Sequence, residues 1–143
     1  VQHSAPTRGA SERVACALVG DSHPVAMGGG TPVRMAEGLA WEVQPRFSPD
    51  GRRIAFTSDR AGGDNIWLMN VDGSDKRQLT KEEFRLLNQP SWSPDGQYLV
   101  AKKHFTTGRS LGTGEVWLYH VSGGAGVQLV KRVSERQIGR AHV

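Results

Sequence analysis

The order of apolar and polar positions repeats along this chain. PRFSPDGRRIAF begins at Pro45 and PSWSPDGQYLVA begins at Pro90, 45 residues later. Downstream, NIWLM at residues 65–69 is matched by EVWLY at 115–119, and RQLT at 77–80 by VQLV at 127–130. Trp67 and Trp117 of these motifs lie 50 residues apart, so the second unit carries about five more residues, placed in HFTTGRSLGTG at 104–114. A partial third copy precedes them: residues 29–45, GGTPVRMAEGLAWEVQP, run parallel to residues 73–90, GSDKRQLTKEEFRLLNQP.

Each unit predicts four short strands. The first ends at Phe47 or Trp92 and meets a turn written Ser-Pro-Asp-Gly, at 48–51 and again at 93–96. Proline presets φ at the second position, Asp caps nearby amides and Gly closes the turn, so adjacent antiparallel strands follow. The second strand covers 53–58 or 98–102, the third 66–70 or 116–121, and the fourth 77–80 or 127–131. Residues 81–87 have room for one helical turn, too short for a crossover, which excludes a βαβ arrangement. Ile54, Ala55 and Phe56, and then Ile66, Trp67, Leu68 and Met69, are apolar on successive positions. Strands of that kind are covered on both faces.

A four-stranded antiparallel sheet, repeated about every 45 residues and covered on both faces by its neighbours, is a blade of a β-propeller. The fold class expected is therefore all-β, an incomplete propeller of two blades plus the last strand of another. Residues 28–44 would end a preceding blade, 45–89 form one blade and 90–131 the next. The run FSPDGRRIAFTSDRAGGDNIWLMNVDGSDKRQLT, residues 47–80, resembles the TolB-like, WD-like propeller repeat. That repeat also occurs in prolyl-oligopeptidase-type peptidases and in amidohydrolase-associated propellers. The connecting stretches GLAWEVQPRFSPDG, KEEFRLLNQPSWSPDGQYLVAKKHF and TTGRSLGTGEVWLYHVSGGAGVQL look most like the propeller region of large secreted bacterial amidohydrolases.

The ends depart from this pattern. Residues 1–27 show no strand–turn–strand register, Pro24 argues against a central strand there, and the segment is expected to be disordered or foreign. Residues 132–143 are expected to be a tail foreign to the domain, since SERQIGRAHV resembles translated adapter sequence. From its opening on Val1 the chain is expected to be a fragment.

Charge then changes the picture only by its location. The net +4 divides into 0 over residues 1–27, +1 over 28–130 and +3 over 131–143. A nucleic-acid footprint needs a basic patch on a folded surface, so nucleic acid is not an expected partner. No apolar run reaches the length of a membrane span. The single Cys16 forms no internal disulfide and says nothing of compartment.

Candidate chemistry is sparse. Gly108, Ser110 and Gly112 satisfy GxSxG, but a nucleophile elbow needs a strand before and a helix after, and this pattern sits in the inserted loop. His3, His23, His104, His120 and His142 form no HxH pair and no HExxH. His104 and His120, at strand ends where they could line a propeller mouth, are expected to be satisfied surface histidines. Asp50 and Asp95 are explained by their turns. Asp59, Arg60 and Asp64 belong to a solvated loop, and their spacing is not that of an EF-hand. Trp67, Trp117 and Trp92 read as packing between blades, and Trp41, with Phe84 as its counterpart, as an inter-blade loop residue. No catalytic, cofactor-binding or metal residue is assigned, and no cofactor is expected.

The resemblance implies a noncatalytic propeller that scaffolds or gates an amidohydrolase-like hydrolase domain outside this chain. Its alternatives are a TolB-type protein-interaction propeller of the cell envelope, or the gating propeller of a prolyl-oligopeptidase-type serine peptidase. Its partners would be the remaining blades, the hydrolase domain and a protein ligand, in the periplasm or outside the cell. Two blades cannot close a ring, so exposed flanks and a tendency to aggregate are expected.

Overall fold

A computed structural model describes residues 40–104 and 114–130 and, as backbone, two strands nearer the N-terminus, β1 (Arg13–Leu18) and β2 (Asp21–Ala26). Every regular element among the described residues is a strand. The first full sheet contains β3 (Glu42–Phe47), β4 (Arg53–Ser58), β5 (Asn65–Asn70) and β6 (Arg77–Gln78), hydrogen-bonded in that order. The second contains β7 (Leu87–Trp92), β8 (Tyr98–His104), β9 (Gly114–His120) and β10 (Val127–Val130), again in chain order. All pairings are antiparallel. The all-β architecture of propeller blades is thus present.

The Ser-Pro-Asp-Gly turns do the same work twice. Gly51 N–H donates to Ser48 O (2.8 Å) and Gly96 N–H to Ser93 O (2.9 Å), with both glycines at positive φ, 70° and 68°. The Ser48 hydroxyl donates to Asp50 Oδ1 (2.5 Å) and accepts from Arg53 N–H (2.9 Å). Ser93, Asp95 and Tyr98 reproduce both bonds at 2.5 and 2.9 Å. Bonds from the serine hydroxyl, and then from an amide two residues on, hold both Asp carboxyls below their ordinary range.

Because successive side chains point to opposite faces, each sheet has two apolar sides. One core unites Ala55, Ile66, Leu68 and Leu79 of the first sheet with Leu87, Leu99, Ala101, Tyr119 and Val121 from the second, and Trp92 and Trp117 pack against it. The opposite side of the first sheet gathers Ile54, Phe56 and Met69, with Phe47, Trp67 and Val71 around them. Burying each large member contributes about 1.5–3 kcal/mol, which is why strands with no polar face are stable here.

Three details differ from the sequence reading. Residues 1–27 contain the antiparallel β1–β2 hairpin, with Pro24 opposite Ala15, lying beside β3. In a two-stranded sheet both strands are edges, and an edge tolerates the missing proline N–H. Residues 81–87 form no helical turn and feed directly into β7. The sheets begin a few residues early, at Glu42 and Leu87, and the first strand of each carries a bulge.

Candidate functional site

The polar chemistry of the described residues concentrates in the seam between the two sheets. At its inner edge β3 and β7 converge, each broken by a bulge in which two residues oppose one. Gln44 and Pro45 face Phe56, and Gln89 and Pro90 face Ala101. Gln44 and Gln89 both adopt left-handed backbone, φ 57° and 55°, a conformation that costs a side-chain-bearing residue. The Gln44 carboxamide oxygen accepts from Gln89 N–H (2.7 Å) and from the Thr57 hydroxyl (3.1 Å). It thereby satisfies an amide of the neighbouring bulge. Trp92 Nε1–H adds a bond to Arg46 O at 2.9 Å.

Two arginines of the first sheet close the seam at the turn end. Arg53 donates to Gly96 O (3.0 Å) while its guanidinium lies 5.1 Å from the Trp92 ring centre, and Arg77 donates to Val121 O (2.6 Å). At the other end the connector does the joining. Asn65, fully buried, donates to Gly63 O and Glu82 O and accepts from the Thr80 hydroxyl and Glu82 N–H. Glu82 then reaches across to Lys103 (2.6 Å), whose ammonium sits 4.1 Å from the Trp117 ring centre. Arg85 bonds Glu115 (2.8 Å) and His104 O (2.7 Å). Burial pushes the Glu115 carboxyl up, but hydrogen bonds from Trp117 and Arg85 outweigh it and hold the group below its ordinary range.

His104 is not a surface histidine. It is 2% exposed, and neither ring nitrogen has a hydrogen-bond partner among the described residues. Burial, with Lys102 nearby, depresses its pKa below the usual imidazole value, against a smaller opposing pull from Asp64. His120 is half-buried, meets the Tyr98 ring edge-on at 5.1 Å, and has Nδ1 2.6 Å from the Ser122 hydroxyl. A nucleophile beside a base is a catalytic pattern in outline, and the sequence reading missed it although His-Val-Ser stands at 120–122. The Ser122 amide also points at Nδ1 (3.2 Å), and Asp95 is engaged by Ser93 and Gln97. The pair therefore acts as a turn cap.

The other candidates fall as follows. Asp59 and Trp41 bond one another through Trp41 N–H to Asp59 Oδ1 (2.8 Å), and Arg60 pairs with buried Glu42 at 2.7 Å. Asp64 is buried, not solvated, and its carbonyl accepts from Leu87 N–H. Phe84 is 64% exposed, while Trp41 is half-buried. Ser110 with its flanking glycines, and His3 and His142, lie outside the described residues, as does the side chain of His23. Among the described residues no group of three His, Cys, Asp or Glu is placed to hold a metal, and no helix is long and apolar enough to cross a membrane. A cleft of about 470 Å³ opens along the outer seam between residues 77–82 and the 122–125 turn. Tyr119 borders it, its hydroxyl buried and its pKa pushed well up by burial, so it stays a neutral phenol.

The repeated sheets, their shared turn and the seam between them agree with a comparison against family models, in which the TolB beta propeller domain matches residues 11–130. The chain belongs to the TolB beta propeller domain family. Among curated relatives, the uncharacterized peptidase YuxL of Bacillus subtilis is 35% identical over 83 residues, covering 57% of this chain and 12% of that protein. The Tol-Pal system protein TolB of Bordetella pertussis is 44% identical over 52 residues, covering 36% of this chain and 12% of that protein. The chain thus spans a small part of the length of both. The crystal structure of TolB from Acinetobacter baumannii superposes with a TM-score of 0.68 at 19% identity, over 93% of this chain and 33% of that one. That likeness concerns the fold.

Proposed function

We propose that this chain is part of a noncatalytic propeller that scaffolds or gates a hydrolase domain carried elsewhere in its parent protein, in the periplasm or outside the cell. The observation that carries the reading is where the polar side chains go. Gln44, Arg53, Arg77, Glu82 and Arg85 are each engaged in holding one sheet to the next. The match to a much longer protein named as a peptidase supports a hydrolase partner. Of the hydrolase classes, a peptidase fits these relatives better than the amidohydrolase suggested by the connecting stretches, which finds no support in YuxL or TolB. A second reading, a TolB-type protein-interaction propeller of the cell envelope, is favoured by the 44% identity to TolB over 52 residues.

The purified chain is expected to hydrolyse amide, ester and peptide substrates no faster than buffer. Turnover that copurifies with the chain, or appears on adding a divalent metal, would overturn the noncatalytic reading. The adjoining coding sequence separates the alternatives. GxSxG with a distant Asp and His favours a serine peptidase, HxH with further ligands a metal hydrolase, and a stop soon after the propeller the TolB reading.

A further inference from the structure

The last turn of each unit has a different charge. Residues 72–76 of the first unit read DGSDK, and the matching residues 122–126 of the second read SGGAG. Ser122, Ala125 and Gly126 stand where the first unit has two acids and a lysine, so the second turn carries no charge. That turn forms one wall of the outer-seam cleft of about 470 Å³, and residues 77–82 of the first sheet form the other. A volume of that size is typical of small-molecule sites. The wall facing the turn is cationic. One Arg77 nitrogen bonds Val121 O (2.6 Å), which fixes the guanidinium at the cleft and uses one of its five donors. Lys81 is exposed and enters none of the ion pairs among the described residues. Glu82, on the same wall, is paired with Lys103 at 2.6 Å.

Tyr119 also points to a ligand. It lines the cleft, is 2% exposed, and its hydroxyl has no hydrogen-bond partner among the described residues. A buried hydroxyl without a partner costs stability. The ring constrains the turn as well. A Cβ on Gly126, at φ 74°, would lie 2.5 Å from Tyr119 Cε1 and 2.7 Å from Cδ1, so only glycine at 126 lets the ring sit where it does. The first unit has Met69 and Lys76 at these two positions. Tyrosine and glycine are therefore a matched pair confined to the second unit, and the shared repeat pattern requires neither.

We propose that this cleft binds an organic carboxylate, held between Arg77 and Lys81, with the Tyr119 hydroxyl donating to it. The ligand class follows from the charges and the donors. Guanidinium and ammonium groups both form strong charge-assisted bonds to carboxylate oxygens. A phenol that burial keeps neutral adds a donor, not a repelling anion. A phosphate dianion suits the site less well, because Leu79 and the Tyr119 ring line it and the cost of removing an ion from water grows steeply with its charge. Nothing lies within 4 Å of where a Cβ would stand on Gly123 or Gly124, which leaves room for the rest of the ligand. The proposal goes beyond the scaffold reading and is independent of any hydrolase domain accompanying the chain.

The test is titration of the full 143-residue chain, followed through the amide resonances of Gly123, Gly124 and Ala125. The probes are butyrate and the peptide acetyl-Gly-Glu-Gly-amide, with butyramide and the matching Gln peptide as neutral controls. Saturable shifts are expected with a carboxylate probe and none with its control. Tighter binding of butyrate assigns a small free acid, and tighter binding of the peptide assigns an acidic side chain. Lys81→Ala, at an exposed position, should weaken binding about tenfold, as the loss of one charge-assisted bond does. Tyr119→Phe should weaken it by a similar factor while the denaturation midpoint of the unliganded chain holds or rises, because the hydroxyl loses no partner. A tyrosine with only a structural role would give the reverse, a lowered midpoint with unchanged affinity, and overturn the proposal. Unchanged affinity in Lys81→Ala overturns it too. So do shifts from the neutral controls equal to those from the acids, saturation by inorganic phosphate at lower concentration than either acid, or no saturable shift with either acid up to about 50 mM.

Discussion

The side of the first sheet that meets the second and the corresponding side of the second sheet have nearly the same pattern and opposite environments. Leu79 is 5% exposed and its counterpart Leu129 is 52%; Thr80 is 2% exposed and Val130 is 56%. A strand in this family acquires its burial from its neighbour, so identical local patterning does not carry identical energetic weight. The polar residues make the same point. Thr80 completes the Asn65 network, whereas Val130, in the same register, has no hydroxyl to offer.

The largest effect that separates the two sides comes from truncating the matched leucines. Leu79→Ala should destabilise the chain by about 2–5 kcal/mol, the range for cavity-forming core substitutions. Leu129→Ala should stay within about 0.5 kcal/mol, as surface changes do. Denaturant titration with an unchanged m-value checks both. Equal costs would mean that the two sides are equally covered.

Asn65→Ala comes next. It leaves the Thr80 hydroxyl and the Glu82 amide without their acceptor inside a buried site, at a cost of about 1–3 kcal/mol. In the second sheet Glu115 holds this position and is served by Arg85 and Trp117 instead. Arg85→Ala should therefore destabilise the second sheet, as read by Trp117 fluorescence, while Asn65→Ala loosens the connector between the sheets.

The turns, by contrast, should not discriminate. Gly51→Ala and Gly96→Ala each place a Cβ at positive φ, and both should cost about 1–2 kcal/mol. A large difference between them would break the equivalence on which the comparison rests.

A smaller effect is expected from pH. Burial lowers the folded-state pKa of His104 below its unfolded value, so the unfolded chain binds the proton more readily. The stability tied to neutral His104 is present above the unfolded pKa and is lost as pH falls from there toward the folded value. His104→Leu should flatten the dependence between pH 7 and 5, measured by denaturant midpoints. The first sheet has Asp59 at this position, so a similar slope in the variant would assign the effect elsewhere.

How much of this was readable in advance follows from the range of the interactions. The strands and the Ser-Pro-Asp-Gly turns were legible because their determinants lie within a few residues: Ser48, Asp50 and Arg53 bond one another. The bulges were not, since glutamine is no ordinary left-handed residue, although Gln-Pro recurring at 44–45 and 89–90 was a signal in plain view. The apolar packing of the seam was legible at Trp92 and Trp117, but its polar bonds were not, because they join residues 19 to 46 positions apart, as Arg85 to His104 and Trp92 to Arg46. His104 was misjudged because nothing in the residues around a strand end tells whether its imidazole will be buried. Pro24 misled in the opposite direction, arguing against a central strand where the strand is an edge.

The most direct test of the account is native-state amide exchange on the full chain, comparing the two last strands. The Leu79 amide, bonded to Ile66 O at 2.9 Å under the second sheet, should exchange at least about a hundredfold more slowly than the amides of β10, which has no such cover. Equal protection of the two strands would contradict the claim that one side is a formed seam and the other an open surface.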